Sequence, residues 1–175
     1  MGKLKKGYVQ VYTGDGKGKT TAALGLALRA VGNDFKVFIA QFVKGLEYCE
    51  IKALKRLNDS ITVKQYGRGC FIQNNPTKED IAAARNGLCE ITEVISSGKY
   101  DLVILDEINI ALHFKILTLQ DVLDLIEIKP GNVELVLTGR RAEKEIIDKA
   151  DLVTEMREVK HYFTKGVMAR KGIER

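Results

Sequence analysis

The chain has 175 residues, 45% of them hydrophobic, and a formal charge of +5. That length suits one domain able to bury roughly 70% of its unfolded surface, and no apolar run approaches the roughly 20 residues that span a membrane. The basic start Met1-Gly2-Lys3-Leu4-Lys5-Lys6 lacks the apolar centre of a signal peptide, so a cytoplasmic protein is expected.

A strand-like run, Tyr8 to Tyr12, opens the readable part of the chain. It leads into Thr13-Gly14-Asp15-Gly16-Lys17-Gly18-Lys19-Thr20-Thr21, and then into an Ala/Leu-rich helical run from Thr20 to about Val31. Strand, glycine loop and helix in that order make a phosphate-binding loop. The glycines let the backbone curl into a nest of amides, and the helix start adds unpaired N–H groups and partial positive charge. Lys19 supplies a point charge, and the Thr20 hydroxyl is placed to ligate magnesium. Thr13 stands where the first glycine of such loops is expected, so the loop is a variant.

Short β runs alternate with helical stretches along the rest of the chain. The runs are 35–40, 61–66, 102–105, 133–137 and 151–156, the last read as an edge strand. One helix starts after Pro76-Thr77, with an acid at Asp80, and places Ile81, Ala84, Leu88, Ile91 and Ile95 on one stripe before Gly98. Another starts at Thr118, with Asp121 three residues on, and buries Leu119, Val122, Leu123 and Ile126. The pattern predicts a single α/β domain spanning residues 1–175, a RecA-like P-loop fold whose mostly parallel central sheet has helices on both faces.

In such sheets ligands bind beyond the carboxyl ends of the strands, and the unusual polar residues fall there. They are the phosphate loop, Gln41 before Lys44-Gly45, Gly67-Arg68-Gly69, Asp106-Glu107, Thr138-Gly139-Arg140 and Glu155-Met156-Arg157. Asp106-Glu107 reads as the acidic pair that holds Mg2+, since carboxylates are the hard ligands magnesium prefers. Arg140 reads as a second cation on the phosphates. Arg29, a charge on an apolar helix, either reaches the nucleotide or snorkels to solvent. His113 reads as ordinary surface and His161 as structural. Cys49, Cys70 and Cys89 read as reduced thiols rather than a disulfide or zinc set. The basic residues are diffuse and not interleaved with aromatics, which speaks against nucleic acid as a partner. On physics alone the site is a magnesium-dependent nucleotide site with a second, unknown ligand. A RecA-like ATPase and a small-molecule kinase both remain open at this point.

The run Gly14 to Ala23, Gly25 to Ala30, Gln41-Phe42-Val43-Lys44-Gly45, Tyr100 to Asn109, Glu134 to Arg140, Ala150 to Arg157, Lys160-His161 and Gly172-Ile173-Glu174 resemble the P-loop type of ATP:corrinoid adenosyltransferase over nearly the whole chain. The resemblance implies that cobalt(I) of cob(I)alamin, or of a cobinamide-type corrinoid, attacks the 5′ carbon of ATP and that triphosphate leaves. It implies ATP contacts from Gly14, Asp15, Gly16, Lys17, Gly18, Lys19, Thr20, Thr21, Arg29 and Arg140. Lys17, Lys19, Arg140 and a magnesium ion bound by Thr20 and Glu107, with Asp106 beside it, would then neutralise the leaving group. It also implies a homodimer and an electron-donating reductase or flavodoxin. The corrin face falls to the segment after the third strand, where Gly67, Gly69, Cys70, Phe71 and Ile72 stand in place of a Gly-x-Gly-Phe-x-Trp pattern, in a chain with no Trp. Phe71 is expected under the corrin. The lead before the first strand is short, so an N-terminal helix that caps a partner's site is expected to be missing.

Overall fold

The computed structural model describes residues 4–45, 48–67 and 75–174. The strands are β1 (Val9–Thr13), β2 (Val37–Phe42), β3 (Ile61–Tyr66), β4 (Leu102–Asp106), β5 (Glu134–Thr138) and β6 (Leu152–Glu155). They form one sheet in the order β3-β2-β4-β5-β1-β6, and every neighbouring pair runs parallel. The expected parallel α/β domain is thus present, with the last strand at an edge. The helices are α1 (Lys19–Val31), α2 (Cys49–Leu54), α3 (Lys78–Ser96), α4 (Ile108–His113), α5 (Leu119–Ile128) and α6 (Lys144–Lys149).

Alternation along the central strands splits the core in two. Val37, Ile39, Leu102, Ile104 and Val136 point to one face, where Ala23, Ala27 and Ala30 of α1 and Leu54 of α2 cover them. Phe38, Ala40, Phe42, Val103, Leu105, Leu135 and Leu137 point to the other, under α3, α4, α5 and α6. The small side chains at i, i+4 and i+7 let α1 lie close on the sheet, which brings its first turn against the strand ends. Both faces of β2 and β4 are fully buried, which accounts for their continuous apolar sequences.

Two helices start as their sequences require. Thr77 and Asp80 form a reciprocal capping box at α3, and Thr118 and Asp121 form another at α5. The stripe on α5 is rotated slightly from expectation: Val122 and Leu125 are its buried residues, while Leu119, Leu123 and Ile126 are only partly covered. Of the α3 stripe, Ala84, Ile91 and Ile95 are buried with Gly87, whose missing Cβ makes room for the Tyr66 ring.

Candidate active site

The loop between β1 and α1 is pressed onto the end of β6. A Cβ at Gly14 or Gly16 would lie 2.5 or 2.6 Å from the Met156 carbonyl oxygen, so only glycine fits either position. Met156 clamps the loop from both sides: its N–H donates to Thr13 O at 2.8 Å, and its carbonyl accepts from Gly16 N–H at 2.6 Å. Thr13 is not a neutral replacement for glycine, because its hydroxyl accepts the Ala142 N–H at 3.2 Å and ties the loop to the segment after β5. Gly18 begins α1 in the left-handed region and provides no side-chain cap. The first amides of the helix, at residues that line the cleft, are therefore left for a ligand. Lys19 is 7% exposed, and its ammonium donates to the Gly14 and Gly16 carbonyls at 2.6 and 2.7 Å. Burial, then the neighbouring Arg140 charge, lowers its pKa.

Asp106 ends β4 and is 1% exposed. One carboxylate oxygen accepts from the Thr20 hydroxyl at 2.9 Å and the Thr138 hydroxyl at 2.7 Å. The other accepts from Gln41 Nε2 at 3.1 Å and Lys44 Nζ at 2.8 Å. Every lone-pair direction is used, so Asp106 is a fixed anchor behind the site. The next residue, Glu107, has φ 61°, a left-handed conformation that costs a non-glycine residue about 1–3 kcal/mol. Its N–H donates to the Thr138 hydroxyl at 3.0 Å, holding the turn, and Glu107 rather than Asp106 lines the cleft. Burial, together with the Asp106 charge, raises the Glu107 pKa against the pull of Lys44, Lys19 and Arg140.

The cleft has a volume of about 1000 Å³. Gly16 to Thr21, Lys44, Glu107 and Arg140 form its polar end, and Leu24, Leu28, Val43, Ile110 and Phe114 continue it as an apolar wall. Arg140 stands at the rim, its side chain 56% exposed and its Nε 3.9 Å from Asp15. The C-terminal segment closes another side through His161 and Gly172-Ile173-Glu174. There the Glu174 carboxylate accepts from Lys17 at 3.0 Å, from Arg170 at 3.1 Å and from the Tyr162 hydroxyl. His161 Nδ1 accepts the Phe163 N–H at 3.0 Å and caps a 3-10 turn at Tyr162–Lys165, a structural role on the cleft wall. His113 is exposed against Arg141.

The residues expected at the nucleotide therefore separate by position. Gly16, Lys17, Gly18, Lys19, Thr20, Thr21, Glu107 and Arg140 line one cleft. Gly14 and Asp15 belong to the loop but not to the lining, and Asp106 sits behind Thr20. Arg29 lies exposed in the last turn of α1, away from the lining, with its charge felt by Tyr12. Gly67 packs on the backbone of Lys44, 2.6 Å from an added Cβ to Lys44 N. Gly69, Cys70, Phe71 and Ile72 lie outside the described residues. Gln41, Lys44 and Thr138 were visible at strand ends without an assigned role, yet they hold the acid pair in place. The signal for Lys44 is a lone ammonium directly after a strand buried on both faces. The wall formed by residues 161 and 172–174 has no such chemical signal; the family resemblance touches these residues, but only the folded tail brings them to the cleft.

The family model described as ATP:corrinoid adenosyltransferase BtuR/CobO/CobP matches residues 5–175. The corrinoid adenosyltransferases of Pseudomonas aeruginosa and Escherichia coli K12 are each 36% identical over 171 residues, covering 97% of this chain and 84% and 86% of theirs. That of Salmonella typhimurium is also 36% identical over 171 residues, covering 97% of this chain and 86% of its own. The matched range takes in the phosphate loop, the acid strand and the tail, and the chain belongs to the ATP:corrinoid adenosyltransferase family.

Proposed function

We propose that this protein transfers the 5′-deoxyadenosyl group of ATP to cobalt(I) of a reduced corrinoid and releases triphosphate. The observation that carries the reading is one cleft in which a phosphate nest with Lys17, Lys19 and Arg140 adjoins an apolar wall, in a chain matched by the family model over residues 5–175. The cobalt(I) lone pair forms the Co–C5′ bond, the C5′–O5′ bond breaks, and its electron pair leaves on the triphosphate oxygen. Cobalt becomes formally cobalt(III). The protein's task is to aim C5′ at the metal of the corrinoid and to meet the charge that collects on the leaving oxygens. The positions of Lys19, inside the loop, and Arg140, at the rim, support that role for both.

Thr20 and Glu107 would hold Mg2+ on the phosphates, with Asp106 orienting the Thr20 hydroxyl from behind. Among the described residues there is no group of three His, Cys, Asp or Glu side chains able to bind a metal by themselves. One hydroxyl and one carboxylate beside a phosphate nest fit magnesium, which takes few protein ligands and completes its shell with phosphate and water. When bound, the ion would lower the cost of charge on the departing triphosphate.

An ATPase or a kinase would instead attack phosphorus and yield ADP. Incubation with ATP, magnesium and chemically reduced cobalamin separates the readings: the cobalt–carbon absorption spectrum should appear together with triphosphate. Corrinoid-independent ADP production would refute the proposal. The corrin-facing role proposed for the Gly67 to Ile72 segment is tested by Phe71→Ala. That variant should lose more activity when cob(II)alamin must be reduced on the enzyme than when cobalt(I) is supplied, with ATP affinity unchanged. An electron donor such as a flavodoxin, a cytoplasmic setting and a homodimer complete the proposal. The exposed Leu152 and Val153 on the edge strand and Phe163 and Met168 in the tail support the dimer, which sedimentation equilibrium would test.

A further inference from the structure

A side chain already occupies the neighbourhood of the proposed metal donors. Lys44 Nζ lies 2.8 Å from Asp106 Oδ2, 3.3 Å from Thr20 Oγ1 and 4.0 Å from Glu107 Oε1. The lysine side chain is 9% exposed, so this is a built contact and not a surface pair. The backbone is strained just before Lys44 and again across the site. Val43, a β-branched residue, has φ 59°, and Glu107 has φ 61°. Gly67 allows the chain to lie directly against residues 43–44. Two left-handed non-glycine residues thus bring one ammonium and one carboxylate together at the polar end of the cleft.

We propose that Lys44 is an internal counter-ion that takes the place of the divalent cation until nucleotide arrives, and so makes metal binding depend on nucleotide. The proposal rests on the reading of Thr20 and Glu107 as metal-facing donors. Two carboxylates this close need a cation, and Lys44 supplies one on a flexible four-carbon stem. A divalent ion entering beside the same oxygens meets the ammonium at short range and must displace it. Without nucleotide the displaced ammonium exchanges its close contact with Asp106 for the weaker field of Glu50 on the cleft lining. A bound triphosphate provides a close anionic partner, so the ammonium can turn from Asp106 to phosphate while the metal takes the hydroxyl and the carboxylate. Metal and nucleotide then enter together, and Lys44 joins Lys19 and Arg140 as a cation that positions the leaving group.

The test uses Mn2+ and the full chain without nucleotide, with bound ion measured by electron paramagnetic resonance. Wild-type protein should bind weakly, and Lys44→Met should bind at least 10-fold more tightly. Lys44→Arg, which keeps the charge, should stay weak. Adding Glu107→Gln to Lys44→Met should abolish the gain. Equal Mn2+ affinity of wild type and Lys44→Met would overturn the proposal. Should Lys44→Met be unstable without metal, Mn2+ should raise its melting temperature well above any effect on wild type; no such rise would overturn the proposal too. A separate measurement isolates the underlying metal assignment: ATP affinity of wild type and Glu107→Gln with Mg2+ or with chelator. If Mg2+ tightens ATP equally in both, Glu107 is not a ligand, and the proposal for Lys44 falls with it. If only wild type responds but Lys44→Met shows no gain for Mn2+, the metal assignment stands and the counter-ion role alone is wrong.

Discussion

At the scale of single residues, the acid pair shows how neighbouring carboxylates acquire different roles. Asp106 is held by four donors, of which Lys44, on its flexible stem, is the exchangeable one, whereas Glu107 faces the cleft with its pKa raised by burial and by the Asp106 charge. Glu107→Gln should keep the fold and lower metal-dependent turnover by about 10-fold or more, roughly 1.4 kcal/mol in barrier; steady-state kinetics against magnesium concentration checks it. The raised pKa has a stability consequence. The folded protein holds this proton more tightly than the unfolded chain does. The contribution is therefore full below the ordinary value of 4.5 and is lost as pH rises through the raised native value. The metal-free Gln variant should accordingly melt above wild type at neutral pH and converge with it near pH 4. Gly16→Ala drives a Cβ into the Met156 carbonyl; overpacking of this kind costs about 1–3 kcal/mol, and denaturant titration should show it together with weaker ATP binding.

Among the elements, the tail is held by charge and the helices by their caps and stripes. Residues 156–174 are mostly exposed, and the Glu174 carboxylate is their common acceptor, with Arg170, Tyr162 and Lys17 as donors. Those hydrogen bonds, Arg170 first, pull the Glu174 pKa well below its ordinary value. The tail contact is therefore complete above about pH 4.5 and weakens as pH falls towards the depressed native value. Glu174→Ala should expose the segment after Lys160 to limited proteolysis at neutral pH, where wild type is protected; equal cleavage rates would show that the tail is held by something else. Thr118→Ala removes one capping box and should cost about 1 kcal/mol, a fall of about 2–4 °C in melting temperature for a chain of this size. The long capped helices and the apolar central strands were legible because periodicity, caps and burial all point the same way. The short helices α2, α4 and α6 went unread, since six residues give no repeat of the 3.6 period.

For the whole molecule, the sheet order places β5 between the loop strand β1 and the acid strand β4, and the polar ends of all three meet at Thr138. That convergence on one sheet edge could be anticipated from where the polar residues fall, and the phosphate nest, Glu107 and Arg140 do share one cleft. Arg29 was not legible in this way: a charge on an apolar helix signals a ligand or a route to solvent equally well, and the fold places it in the last turn of α1. The proposed reaction is defined by the bond of ATP that breaks, C5′–O5′. It is tested most directly with ATP carrying oxygen-18 at the bridging 5′ position, reacted with reduced cobalamin and magnesium and followed by mass spectrometry. Attack at the 5′ carbon predicts that the label leaves in triphosphate while unlabelled deoxyadenosyl goes to the corrinoid. Label retained in ADP or adenosine, with no labelled triphosphate, would contradict the account.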